Sequence, residues 1–103
     1  MKDTDFGAIP THPGEVIKDE IEYRGISQRR LAEEIGISYT ALNEILNGKR
    51  SLSPNNAYLF EAALDIPAAS LMKLQMRYDL QTARINPKLI ERLASIRRIA
   101  SVL

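Results

Sequence analysis

Apolar residues recur along this chain at intervals of three and four, and no stretch alternates as a strand would. Val16, Ile17 and Ile21 form the first such row, after His12-Pro13-Gly14-Glu15. There Pro13 suits a first helical position, His12 the cap, and Glu15 can reach back to a free backbone N–H. This predicts a helix to about Tyr23, ended by Arg24-Gly25. Ser27 caps a second helix with Leu31, Ala32 and Ile35 inward. Gly36 supplies a positive φ for a sharp turn, Ile37 plugs the corner, and Ser38 caps a third helix. Leu42, Ile45 and Leu46 face inward there, and Gly48 ends it. Ser53-Pro54 starts a fourth helix with Ala57, Phe60, Ala63 and Leu64 at core spacing, broken at Ile66-Pro67. A fifth is expected from about Ala68 to Ala83, with Leu71, Leu74 and Tyr78 on one stripe and Met72 and Met76 beside it as core or subunit contacts. Asn86-Pro87 opens a last helix whose Leu89, Leu93, Ile96, Ala100 and Leu103 form a short heptad seam.

The fold expected is therefore all-α. It consists of a flexible N-terminus (1–8), a five-helix domain (9–83), and an amphipathic C-terminal helix (84–103) that packs on its own domain or on a second subunit. The chain's 103 residues suffice for one compact domain, and its apolar fraction of 45% is ordinary. Absence of Cys excludes a disulfide framework and a thiolate metal site, and a single His argues against a transition-metal site. No cofactor is expected. No apolar run approaches a membrane span, and residues 1–7 lack a signal-peptide core, so a soluble cytoplasmic protein with no membrane partner is expected. No GxSxG, phosphate-cradling Gly loop or HExxH is present, and the carboxylates are scattered, so an enzyme is not expected. His12 reads as a capping group, with no partner for catalysis.

Net charge is only +1, but it is unevenly spread. Residues 1–23 hold two Lys and six Asp/Glu, whereas residues 24–50 hold five Lys/Arg and three Glu. Residues 84–103 hold five Lys/Arg and one Glu. Affinity for nucleic acid follows local neutralisation of phosphate, so the two basic segments matter more than the total.

The first basic segment coincides with the pattern from Ser27 to Arg50: cap, small residue, turn Gly, corner plug, second cap, terminal Gly, basic exit. That sequence of features is a helix-turn-helix, whose second helix enters the DNA major groove. The candidate base-facing residues are Tyr39, Thr40, Asn43 and Glu44, with Asn47 one turn on. Thr40 suits a thymine methyl or a base edge, Asn43 adenine, and Glu44 a cytosine amino group. Gln28 and Ser38, at the helix starts, and Lys49 and Arg50, at the exit, complete the DNA-binding set through phosphate. The competing roles are a phosphate contact for Asn43 and a salt bridge to a neighbouring Lys or Arg for Glu44.

These residues resemble the phage-repressor-like (XRE, Cro-type) helix-turn-helix. The wider stretch, from His12-Pro-Gly-Glu15 through Asn47-Gly-Lys-Arg50 to Leu64-Asp-Ile-Pro67, is similar to the HigA (VapI-like) antitoxins over residues 9–80. The resemblance implies a homodimer on palindromic double-stranded operator DNA and autorepression of a toxin–antitoxin operon. It also implies a HigB-type toxin partner, a small RelE-like messenger-RNA-cleaving ribonuclease. By position, Gln28, Tyr39, Thr40 and Glu44 match the family's main DNA-contact positions. Many members carry Arg or Lys where Glu44 stands, and a carboxylate there repels phosphate. Two alternatives stand beside this reading: a repressor without a toxin, and an interaction module that no longer binds DNA.

Overall fold

The computed structural model describes residues 10–103. The flexible N-terminus expected for residues 1–8 lies outside them, as does Ile9. The described residues form six helices and no strand: α1 (Pro13–Arg24), α2 (Gln28–Ile35), α3 (Tyr39–Leu46), α4 (Pro54–Leu64), α5 (Ala68–Arg84) and α6 (Pro87–Ala100). The all-α, repressor-like architecture with an added C-terminal helix is the one the sequence predicts.

The starts are set chemically. Side chains of Ser27, Ser38 and Ser53 accept hydrogen bonds from the N–H groups of Arg30, Ala41 and Asn56, at 3.0–3.1 Å. His12 caps α1 through Nδ1, which accepts from the Gly14 N–H at 2.9 Å, while Glu15 closes the reciprocal half of the box. Helix α5 has no such residue, because Pro67 precedes it. Glu61, seven positions upstream on α4, accepts from the Ala68 N–H at 2.6 Å instead.

Helices α1–α5 enclose one core built on Ile17, Ile21, Leu31, Ala32, Leu42, Ile45, Leu46, Leu52, Ala57, Phe60, Leu64, Ala68 and Leu71. Helix α1 approaches the backbone of α3 closely. A β-carbon on Gly14 would collide with the Ile45 carbonyl oxygen, so no side chain fits. At the far end of α1, Arg24 pairs with Glu20 and donates through Nη2 to the Leu64 carbonyl at 2.6 Å, joining the ends of α1 and α4.

Two sequence expectations are corrected. Ala63 is exposed: the buried row of α4 is Ala57, Phe60 and Leu64, and Ala63 falls beside it, next to Ile35 in a shallow surface cleft. On α5, Leu74 and Tyr78 are only half-buried, and the fully buried position one turn beyond Leu71 belongs to Gln75. Of the α6 seam, Leu89 is half-buried and lines a cleft with Leu93 and with Leu80 and Ala83 of α5. The helix carries no buried residue, touches α5 and points away from the core. The described residues consequently extend 57 Å, with a radius of gyration of 17.2 Å, against about 13 Å for a compact chain of this length.

Candidate nucleic-acid interface

Helices α2 and α3 are each eight residues, two turns apiece, and bury Leu31, Ala32, Leu42, Ile45 and Leu46. The turn between them needs Gly36, whose φ of 77° lies in the left-handed region that strains side chains. Ile37 packs half-buried against the core at this corner. The opposite face of α3 is therefore presented outward. Tyr39, Thr40 and Asn47 are exposed along it, with Asn43 and Glu44 half-buried between them.

Two contacts lock this face to α2. The Asn43 Nδ2 amide donates to Gln28 Oε1 at 3.0 Å, so two residues expected to act separately form a pair. The Arg29 guanidinium sits over the Tyr39 ring, 5.3 Å from its centroid, a cation–π arrangement. Asn47 donates back to the Asn43 carbonyl at 2.9 Å. Ser38 uses its oxygen as the α3 cap and keeps its O–H proton for an outside acceptor. Arg29 was not singled out from the sequence. Its signal is a cation at the second position of α2, one helix away from an aromatic.

The exit from α3 turns back on itself. Gly48, with φ of 72°, donates to the Ile45 carbonyl, and the Lys49 N–H donates to the Glu44 carbonyl at 2.8 Å, which together make a Schellman turn. This reversal carries Arg50 alongside Glu44. Arg50 Nε and Nη2 both donate to Glu44 Oε1, at 2.9 and 2.6 Å. Lys49 is exposed beside them. The competing role noted for Glu44, a salt bridge, is the one present in the free chain.

The exit loop is held from behind by Gln75, which pattern reading passed over, and by His12, which it read only as a cap. Gln75 is buried, accepts from the Leu52 N–H at 2.8 Å and donates to Asp79 at 2.9 Å. His12 is buried too, edge-on to the Tyr78 ring at 4.9 Å, and is hydrogen-bonded with the Arg50 backbone. Burial pushes its pKa below the ordinary histidine value, against the opposing pull of the Arg50 backbone, Asp79 and Glu15. With Nδ1 accepting from Gly14, the neutral ring carries its proton on Nε2. Gln75 has a legible signal, a polar residue at an apolar stripe position.

The nine predicted residues thus fall on one side of the domain, as the α3 row, the α2 start and the basic exit. A helix-turn-helix family profile matches residues 17–71, more than half of the chain. The chain belongs to the helix-turn-helix family. Its type is that of the XRE repressors, and its likeness to HigA antitoxins appears in sequence and in fold. It is similar to the Pseudomonas aeruginosa antitoxin HigA, solved with the higBA promoter: 35% identity, TM-score 0.72, covering 81% of this chain and 92% of that one. It is also similar to an addiction module antidote protein of the HigA family from Coxiella burnetii, with 29% identity and TM-score 0.72, covering 82% and 95%. Among curated relatives, virulence-associated protein A′ of Dichelobacter nodosus is 36% identical over 72 residues, 69% of this chain. The match spans 63% of that relative's length. Among the described residues, no helix is long and apolar enough to cross a membrane.

Proposed function

We propose that this protein is an antitoxin that represses its own operon as a homodimer and neutralises a HigB-type, RelE-like ribonuclease toxin. The observation that carries the DNA half is the rigid outward face of α3, flanked by capped helix starts and a basic exit, in a chain similar to an antitoxin solved with its promoter. In this reading Thr40 and Asn43 touch base edges, and Gln28 holds the Asn43 amide in orientation. Tyr39 is stiffened by Arg29. The Ser38 hydroxyl and the free N–H groups of the first turns of α2 and α3 meet phosphate, together with Lys49 and Arg50. Asn47 lies at the edge of the contact.

Dimerisation is assigned to the C-terminal helix. Beyond Leu89 and Leu93, which lie against α5, its apolar residues are uncovered, with Ile90 51%, Ile96 49% and Ile99 58% exposed. A second copy is the cover that a two-fold operator requires. The toxin-binding half rests on the likeness to HigA antitoxins.

Co-expression with any short basic reading frame that neighbours the gene tests that half. The tagged chain should retain a small basic protein through purification and relieve the growth arrest that protein causes. An undiminished arrest with nothing retained would remove the antitoxin role and leave a stand-alone repressor.

A further inference from the structure

Glu44 is out of keeping with its surroundings. It is a carboxylate at the middle of a face otherwise suited to a polyanion, and it engages a cation that would serve that polyanion. Both Arg50 donors fall on one oxygen, Oε1, leaving Oε2 to an outside donor. The two side chains are 38% (Glu44) and 52% (Arg50) exposed, so the pair is solvated and readily opened. The Schellman turn sets their spacing, and the Gln75 and His12 clamps hold the loop beyond it, so the juxtaposition is built into the backbone.

We propose that Glu44 determines specificity through Arg50, selecting cytosine at the base it faces and withholding Arg50 from phosphate elsewhere. The inference rests on the DNA-binding reading and deepens it. On unrelated DNA, Arg50 stays on Glu44 and one phosphate contact is missing. On the operator, a cytosine N4 amino group donates to Oε2 and takes over part of the carboxylate's charge. Arg50 then swings to the adjacent phosphate. Thymine O4 and the guanine O6/N7 edge present only acceptors at this depth, and adenine sets N7 beside its amino group. Thymine and guanine thus repel the carboxylate, adenine's donor is offset by its N7, and the ion pair stays closed more often on all three than on cytosine. A residue that repels DNA in general thereby widens the gap between right and wrong sequences.

The test uses the full chain, a duplex it enriches from a randomised pool, and a scrambled duplex of the same composition. Binding of both is followed by fluorescence anisotropy across a salt series. Lys49→Ala, which removes an unpaired cation, is the control and should lower the salt slope by about one on both duplexes. Arg50→Gln should lower the slope by about one on the enriched duplex and leave it unchanged on the scrambled one. Glu44→Gln should tighten scrambled-DNA binding and steepen its slope by about one, because Arg50 is released. The same variant should lose at least about fivefold of the preference for cytosine over other bases at one position, the lower end of what one base contact supplies. The proposal is overturned if Arg50→Gln lowers the scrambled-DNA slope with Glu44 intact, or if Glu44→Gln leaves the base preference as it was. Failure of the wild-type chain to enrich any duplex would instead overturn the DNA-binding reading, and this inference with it.

Discussion

At the scale of single residues, the interface depends on groups that never face it. Gly14 lets α1 approach the α3 backbone so closely that even a methyl group collides with the Ile45 carbonyl. Gly14→Ala should destabilise the domain by about 1–3 kcal/mol, the usual range for overpacking, read as a lower urea midpoint at unchanged m-value. An unchanged midpoint would mean that the α1–α3 crossing is looser than described. His12 makes stability pH-dependent. Because burial lowers its folded pKa from 6.5, the unfolded chain takes up a proton that the folded chain refuses. Its contribution is complete above the unfolded value and is lost as pH falls from there toward the folded one. The midpoint should therefore drop between pH 7.5 and 5.5, and His12→Asn, which retains a capping side chain, should flatten that part of the profile. Parallel profiles for the two proteins would contradict this.

At the scale of elements, what local chemistry dictates was legible and what long-range packing dictates was not. Every helix start except that of α5 announces itself as a cap, three of them followed by Pro, and Gly25, Gly36 and Gly48 mark left-handed turns. The outward row of α3 follows from its inward row, so the candidate site could be placed residue by residue. The cross-links could not. Gln28 with Asn43, Arg29 with Tyr39 and Gln75 with Leu52 join residues 10 to 23 positions apart, and no periodicity encodes such a meeting. Helix α6 was legible as an apolar seam, with packing on its own domain and packing on a second subunit both left open by the sequence. Removing residues 86–103 should leave the thermal midpoint of the five-helix domain nearly unchanged while halving the mass in solution. A large loss of stability without a change in mass would show that α6 serves the fold.

At the scale of the whole molecule, one end is a rigid reader and the other an open apolar arm. The globular part of α1–α5 carries Lys49 and the α3 row, and the arm carries a second basic segment. Two-fold pairing through such an arm would bring two α3 helices to one face of DNA, about 34 Å apart, one helical turn. The central claim is that this paired α3 face reads an operator, and a footprint on the DNA upstream of the protein's own reading frame tests it most directly. Wild-type protein should protect two major-groove patches one turn apart, and Thr40→Ala with Asn43→Ala should erase both while the fold, followed by circular dichroism, persists. No protection, a single patch, or protection unaffected by the double substitution would contradict the account.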